Sequence, residues 1–500
     1  MDLLRSIPLI SIFLAMLGGF LSALLPNGRQ ARRLTSLSAG AVTLLSGVLT
    51  LELALTGESF AFSMGHFPAP WGNELRAGPL EGLLAGVYGA VTLLSVEGGA
   101  DQTLSELSSA RQPLYFSVLN LLLGAMLALL YTNDLFTAYV FLEVSTLAAC
   151  AMILAKDKGE SLLETLRYLV MYLVGSGFFL LGVALLYSIT GHLLMEPLGE
   201  AVGDLAVQGT YPVTLAAALW LLALGLIIKS AVFPFHSILP GAHGAAVTTS
   251  SAILSGLLLE VYLILLVKIL LRVATVPVAF SLHLFDGLLV FGVAAMLGGS
   301  LCAMGEPDLK RRLAYSSAAQ VGYLYVGLGL GTAEGMTAAL FHLICHAFTK
   351  SLLFVCAGRL ISVSQNKRSL TNLTGAAHRD KLAGIGFTLG AISLVGAPLL
   401  ACFASKLYLA QSAIDGTWRM FLVLGALGAG MVLGALYLLP VVGALWMDRG
   451  QMEGVSPQWT GDKPRRAFGV TTVLQMAVNV ALGLAHTPLF HVLTMGLACL

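Results

Sequence analysis

The 500-residue chain is 57% hydrophobic and only 11% charged, with a mean hydropathy of +0.87, where a soluble domain carries about 25% charged residues. A formal net charge of +1 gives no electrostatic reason to expect a nucleic acid or another polyanion as partner. The composition is that of a protein whose solvent is the lipid bilayer.

Apolar stretches of the ~20 residues that a bilayer requires run approximately over 6–26, 34–56, 78–98, 113–132, 134–155, 165–190, 212–237, 246–273, 285–305, 313–331, 337–361, 381–410, 419–446 and 467–492. They predict an all-α polytopic membrane protein of about fourteen transmembrane helices. The first, from Ser6 to Leu25, resembles a signal peptide, but its apolar run is too long and no clear small-residue cleavage site follows. It is therefore expected to be a retained span. Glu196 to Gly209 reads as a short surface helix and Asp448 to Arg466 as a polar loop, and no soluble domain is expected.

Charge placement tests this count independently. The connections after spans 1, 3, 5, 9, 11 and 13 hold Arg29, Arg32 and Arg33; Arg111; Lys156, Lys158 and Arg167; Lys310, Arg311 and Arg312; Arg359, Lys367, Arg368, Arg379 and Lys381; and Arg449, Lys463, Arg465 and Arg466. Arg5, Arg76, Arg272 and Arg419 fall on the opposite side. By the positive-inside rule the odd-numbered connections are cytoplasmic and both termini lie outside a prokaryotic cytoplasmic membrane.

Against this background six titratable residues are out of place: Glu143, Lys229, Glu260, Lys268, Lys350 and Lys406 all fall inside apolar runs. A charge at the helix centre costs about 2.5–3.5 kcal/mol on insertion scales, so a file of such groups reads first as a proton or cation conductor. The seventh span breaks at Phe233-Pro234 and again at Leu239-Pro240-Gly241-Ala242-His243, just after Lys229. The twelfth breaks at Gly396-Ala397-Pro398, about two turns before Lys406. Proline removes a helix hydrogen bond, and the freed carbonyls are tolerated at membrane depth only beside protein or a cavity. Paired broken helices in two halves point to an ion site. The alternative is two kinked structural helices whose lysines snorkel to the surface.

In the eleventh span His342, His346 and Lys350 recur at i, i+4 and i+8, which places them on one stripe. Histidine titrates near neutral pH, so the stripe reads as a proton relay, with packing as the alternative. No glutamate follows His342, as an HExxH zinc site demands. His236, His243 and Gln320 are secondary candidates, and Tyr323 could line a water path with Gln320. Glu164 with Arg167, and Asp308 with Lys310, read as solvated or interfacial charges. The six cysteines (Cys150, Cys302, Cys345, Cys356, Cys402 and Cys499) form no CxxC pair and read as small core residues. With no phosphate loop or nucleotide fingerprint either, no cofactor or metal is expected in this chain, and its energy must come from other subunits or an ion gradient.

Several strings carry a resemblance. Asn133-Asp134-Leu-Phe-Thr-Ala-Tyr-Val-Phe-Leu-Glu143 resembles the fifth span of the antiporter-like subunits of respiratory complex I, and Lys229-Ser-Ala-Val-Phe-Pro234-Phe-His236-Ser-Ile-Leu-Pro240-Gly-Ala-His243 their seventh. Leu313-Ala-Tyr-Ser-Ser-Ala-Ala-Gln320-Val-Gly322-Tyr, Phe341-His342-Leu-Ile-Cys-His346-Ala-Phe-Thr-Lys350 and Ser393-Leu-Val-Gly396-Ala-Pro398 through Ser405-Lys406 follow in the family's order. The family also includes large subunits of Mrp-type sodium/proton antiporters and of energy-converting membrane hydrogenases. The resemblance implies two inverted five-helix repeats, spans 4–8 (residues 111–275) and 9–13 (276–446), with helices 7 and 12 broken. A three-helix segment (1–110) would precede them, and a loop with a last helix (447–500) would follow. It also implies that Glu143 pairs with Lys229 as a switch and that Lys406 is the terminal relay.

The chain departs from the pattern at Gly256-Leu-Leu-Leu-Glu260, where most members have lysine in place of Glu260, and at Val247, which replaces a common proline. Lys268, about 80° and ~12 Å along the helix, is a partial substitute; Glu260 is either a relay or half of a structural ion pair. The function implied is a proton-translocating subunit, with sodium as a further ion, of a redox-driven complex such as a membrane hydrogenase or complex I relative. An Mrp-type antiporter subunit without redox partner and a non-conducting structural subunit are the alternatives. The partners implied are membrane subunits on both sides, as for a middle member of a row lacking a long C-terminal lateral helix. Iron–sulfur subunits would join them in a redox complex.

Overall fold

A computed structural model describes residues 2–64, 73–156, 158–447 and 466–500. In chain order the main helices are α1 (Ile7–Leu24), α2 (Gly28–Thr56), α3 (Pro79–Gly98), α4 (Gln112–Tyr131), α5 (Leu135–Leu154), α6 (Gly159–Thr190) and α7 (Pro212–Lys229). After them come α8 (Thr248–Val273), α9 (Leu284–Gly305), α10 (Leu309–Gly329), α11 (Ala333–Ser362), α12 (Lys381–Val395), α13 (Ala401–Ser412), α14 (Trp418–Trp446), α15 (Arg466–Leu484) and α16 (Thr487–Ala498). Short polar caps start several of them: Asn27, Asp134, Asp308 and Thr332 each accept a backbone N–H from the first turn, at 3.0, 2.6, 3.1 and 3.1 Å, as N-cap residues do.

Among the described residues twelve helices are long and apolar enough to cross a membrane. Two of the fourteen expected segments fall short of that standard. Helix α10 opens on Lys310, Arg311 and Arg312 and carries Ser316, Ser317 and Gln320, and the twelfth segment is split into α12 and α13. The seventh segment ends at Lys229, not at 237; a turn at Phe235–Ile238 and a short helix at Leu239–Ala245 follow. The last ends at Leu484, not at 492, because α16 begins separately with proline in its first turn, where its missing N–H costs nothing. An antiparallel hairpin, Phe60–Ser63 with Glu74–Ala77 and Phe60 opposite Ala77, departs from a purely helical chain. The surface helix expected near 196–209 is present as Met195–Gln208. Arg449, Lys463 and Arg465 lie outside the described residues, as does the loop expected over Asp448–Arg466 up to its last residue.

Helices α8 and α11 run through the centre, their membrane-spanning stretches enclosed by the others. The outer helices α1 and α2 turn Phe13, Phe20, Leu44 and Leu55 outward, the surface a bilayer covers. Helices α9 and α10 touch through glycines: a Cβ on Gly322 would lie 2.4 Å from the Met296 nitrogen. Small residues of this kind let membrane helices approach backbone to backbone.

Connections after the expected spans 3, 5, 9 and 11 meet around one cavity of about 410 Å³, lined by Glu106, Lys156, Lys158, Lys310 and Arg368 among others. They therefore share one side of the bundle, as their charge pattern requires. Lys310, read from sequence as solvated, is instead buried, and its Nζ donates to the Ala246 carbonyl at 3.2 Å. Asp308 pairs with Arg368 at 3.0 Å rather than with Lys310. Arg167 and Glu164 do pair at 2.9 Å, with Arg167 well exposed.

Candidate functional site

The site begins where α7 stops. Lys229, the last residue of that helix, is wholly buried, and its Nζ lies 3.8 Å from Glu143 Oε1 on α5. At that separation two unit charges attract by about 4 kcal/mol at an effective dielectric near 20. The gap is too long for a hydrogen bond, and Lys229 instead donates to Thr146 Oγ1 at 2.8 Å. The rings of Tyr172 and Tyr262 lie 5.5 and 5.7 Å from the ammonium, within the range of cation–π attraction. Tyr262 and Ser145 share a 3.0 Å hydroxyl contact, and Tyr325 donates to Ser230 Oγ, just past the break, at 3.1 Å.

Two residues before Tyr262, Glu260 meets the histidine stripe. Its Oε1 is 2.6 Å from His346 Nδ1, both side chains fully buried. Glu260 Oε2 and the Nε2 atoms of His342 and His346 have no protein partner. The His342 and His346 rings stack 6.4 Å apart, and His342 Nδ1 lies 2.7 Å from Ser405 Oγ on α13. Tyr323 lies against His342, with ring centroids 5.4 Å apart, and carries the Lys406 ammonium 4.6 Å above its ring. Lys406 donates to the carbonyls of Leu394 and Val395, at 2.5 and 3.3 Å. Those carbonyls are freed because Gly396, at φ +105°, ends α12 ahead of Pro398. The break thus supplies the acceptors for the lysine.

Other candidates turn elsewhere. Lys350 leaves the histidine stripe to donate to Leu313 O at 2.9 Å and to Ser316 Oγ. Lys268 donates to the carbonyls of Leu130 and Thr132, at 2.9 and 2.5 Å, at the end of α4, so it stands apart from Glu260. His236 stacks on Phe233, next to Pro234, and His243 on Phe354, at 5.1 and 5.3 Å between centroids. Gln320 is buried on α10. Among the described residues no group of three His, Cys, Asp or Glu could hold a metal. Cys150, Cys345, Cys356 and Cys402 are buried, whereas Cys302 is exposed and Cys499 partly so, which corrects the uniform core reading.

Four polar residues escaped the sequence reading. Glu81, buried near the start of α3, accepts the Gly78 N–H at 2.9 Å. Glu106 joins Lys156 at 2.6 Å in the basic-face cavity. Burial works to raise its carboxyl, but Lys310 and Lys156 outweigh it and hold the group below the usual carboxylate range. Gln475 and Asn479 on α15 donate to Ser351 and Thr349 of α11, each at 2.6 Å. Their i, i+4 spacing in an apolar helix is the signal that could have found them.

The structure is a multi-helix bundle with two interrupted helices and a buried file of lysine, glutamate and histidine side chains. Residues 132–432 match the family described as NADH:quinone oxidoreductase/Mrp antiporter, TM. The chain is 34% identical to NADH-quinone oxidoreductase subunit N of Desulforudis audaxviator, over 81% of this chain and 79% of that one. It is 27% identical to a Na(+)/H(+) antiporter subunit of Alkalihalophilus pseudofirmus, over 98% and 96% of the two chains. A chain of the membrane-bound sulfane sulfur reductase, an archaeal respiratory membrane complex, superimposes with a TM-score of 0.87 at 25% identity, covering 99% of this chain and 97% of that one. A chain of the Mrp complex from Dietzia sp. DQ12-45-1b shares the fold, with a TM-score of 0.85 at 22% identity over 100% and 97%. The protein belongs to the NADH:quinone oxidoreductase/Mrp antiporter membrane family and is an antiporter-like subunit of it.

Proposed function

We propose that this chain translocates protons, with sodium as a further ion, as a membrane subunit of a multisubunit redox-driven complex in a prokaryotic cytoplasmic membrane. The observation that carries the reading is the buried file itself: Glu143–Lys229 at one broken helix, Glu260–His346–His342 at the centre, and Ser405 and Lys406 at the other. Charged groups inside a bundle are costly, and such groups mark ion pathways.

In this reading Glu143 and Lys229 act as a switch. Separating them strands a cation among apolar side chains, a state relieved by passing its proton toward Tyr262 and Glu260. His346, His342 and Ser405 hand the proton on to Lys406. Membrane subunits would flank the chain, and redox chemistry would sit in iron–sulfur partners. The two broken helices belong to inverted repeats, and the basic face is cytoplasmic. Similarity to a Na(+)/H(+) antiporter subunit along 98% of the chain favours a second reading, an Mrp-type antiporter with no redox partner.

Ion flux in vesicles containing the purified native complex, its subunits identified by mass spectrometry, tests both. Flux that needs a reductant, with iron–sulfur subunits present, establishes the redox pump. Flux driven only by an imposed ion gradient, with no redox subunit, establishes the antiporter. Lys229→Ala is expected to abolish the flux with the complex still assembled; undiminished flux would leave a structural subunit.

A further inference from the structure

Helix α3 lies outside the stretch that the family profile matches, yet it packs against α8, α11 and α15. It carries Glu81, Tyr88, Thr92 and Ser95, all buried. At 100° per residue these four fall within about 60° of arc, so α3 presents one polar stripe to the central helices. Tyr88 Oη and Thr92 Oγ1 have no protein partner. A hydroxyl that bonds nothing adds no hydrogen bond between the helices, and burying it costs about 1–3 kcal/mol. The helix packs against the Leu254–Leu258 turn of α8, which ends two residues before Glu260.

The other end of the stripe leads to the basic-face cavity. Ser95 Oγ is 2.8 Å from Ser351 Oγ, and the Ser95 carbonyl accepts from Thr249 at 3.4 Å. Thr249 in turn shares a 2.8 Å contact with Thr103. Gly99 makes this approach possible, since a Cβ there would stand 2.4 Å from Thr249 Oγ1. Thr103 is one turn from Glu106, which accepts from Thr248 at 3.4 Å and lines the cavity.

We propose that α3 lines a proton access path from the Glu106–Lys310 cavity, through Thr103, Thr249, Ser95, Thr92 and Tyr88, to Glu260. Between Thr103 and Thr249 the hydroxyls touch, and there one O–H bond forms as the next breaks. Thr249 donates to the Ser95 carbonyl and not to its hydroxyl. From Thr249 to the Ser95 hydroxyl the proton is therefore carried by water, which accepts it from one hydroxyl and gives a hydrogen to the next. Water completes hops longer than a hydrogen bond, and the proton ends on the Glu260 carboxylate beside His346. The inference rests on the translocation reading above.

Proton flux in vesicles containing the purified native complex tests it, with Lys229→Ala as the baseline. Tyr88→Phe and Thr92→Val remove hydroxyls that hold no helix in place, so both should keep native subunit content and thermal stability while flux falls to that baseline. Thr92→Ser, which restores the hydroxyl, should keep native flux. Native flux in both Tyr88→Phe and Thr92→Val would overturn the path, as would equal losses in Thr92→Val and Thr92→Ser, which would mark a packing effect. Native flux in Lys229→Ala would instead overturn the translocation reading, and the path with it.

Discussion

Glu143 and Lys229 are close enough to feel each other and too far apart to be locked by a hydrogen bond, the geometry of a pair that can open. If they act as one switch, Glu143→Gln should lower flux as far as Lys229→Ala does, and the double variant should be no worse than either single. An additive loss would show independent roles. Glu106 makes a separate prediction through pH. Lys310 and Lys156 outweigh burial and keep its carboxyl below the ordinary range, so its contribution to stability is present above the unfolded carboxylate value of about 4.3 and is lost as the pH falls through its folded value. The thermal midpoint of the native complex should therefore exceed that of Glu106→Gln at neutral pH, and the difference should close in acid. A difference that persists under those conditions would contradict the ion pairing.

The breaks are as specific as the charges. Each holds a non-glycine residue with positive φ, Ala231 at +50° after α7 and Leu399 at +69° after α12; strain of this kind clusters at functional sites. Gly396 leaves little room for a side chain: an added Cβ would meet Met431 Cε at 3.1 Å and Lys406 Cδ at 3.5 Å. Gly396→Ala should cost about 1–3 kcal/mol and disturb the carbonyls that hold Lys406, read as a lower thermal midpoint together with reduced flux. Helix α8 adds a device of its own, with π turns at Leu254–Leu258 and Ile269–Val273 that bracket Glu260 and Lys268. Such turns recur at functional sites; the segment between them, Leu259–Lys268, is regular α-helix, so Glu260 and Lys268 keep their α-helical phase and Lys268 ends among the carbonyls of α4.

The bundle as assembled gives the charge pattern a geometric counterpart, because the basic connections line a common cavity. Lys158 lies on that face, which we propose is cytoplasmic, as the positive-inside rule expects. Lys158→Cys should react with a membrane-impermeant thiol reagent in inverted vesicles and not in right-side-out ones; Cys302, itself exposed, must first be replaced by serine. The opposite labelling pattern would reverse the orientation.

The lipid-solvated class, most helix positions, both breaks and the set of intramembrane charges were legible along the chain, because the bilayer penalises each polar group locally and regardless of its neighbours. Glu143 with Lys229 was legible too, through strings that resemble a family. Which buried groups actually meet was not. Glu260 finds His346, Lys350 and Lys268 turn to backbone carbonyls, Lys310 sinks beside Glu106, and the hydroxyls of α3 face the centre. Those outcomes depend on the rotation and close approach of helices distant in sequence, set by glycines, breaks and π turns acting together, and only the tertiary structure decides them.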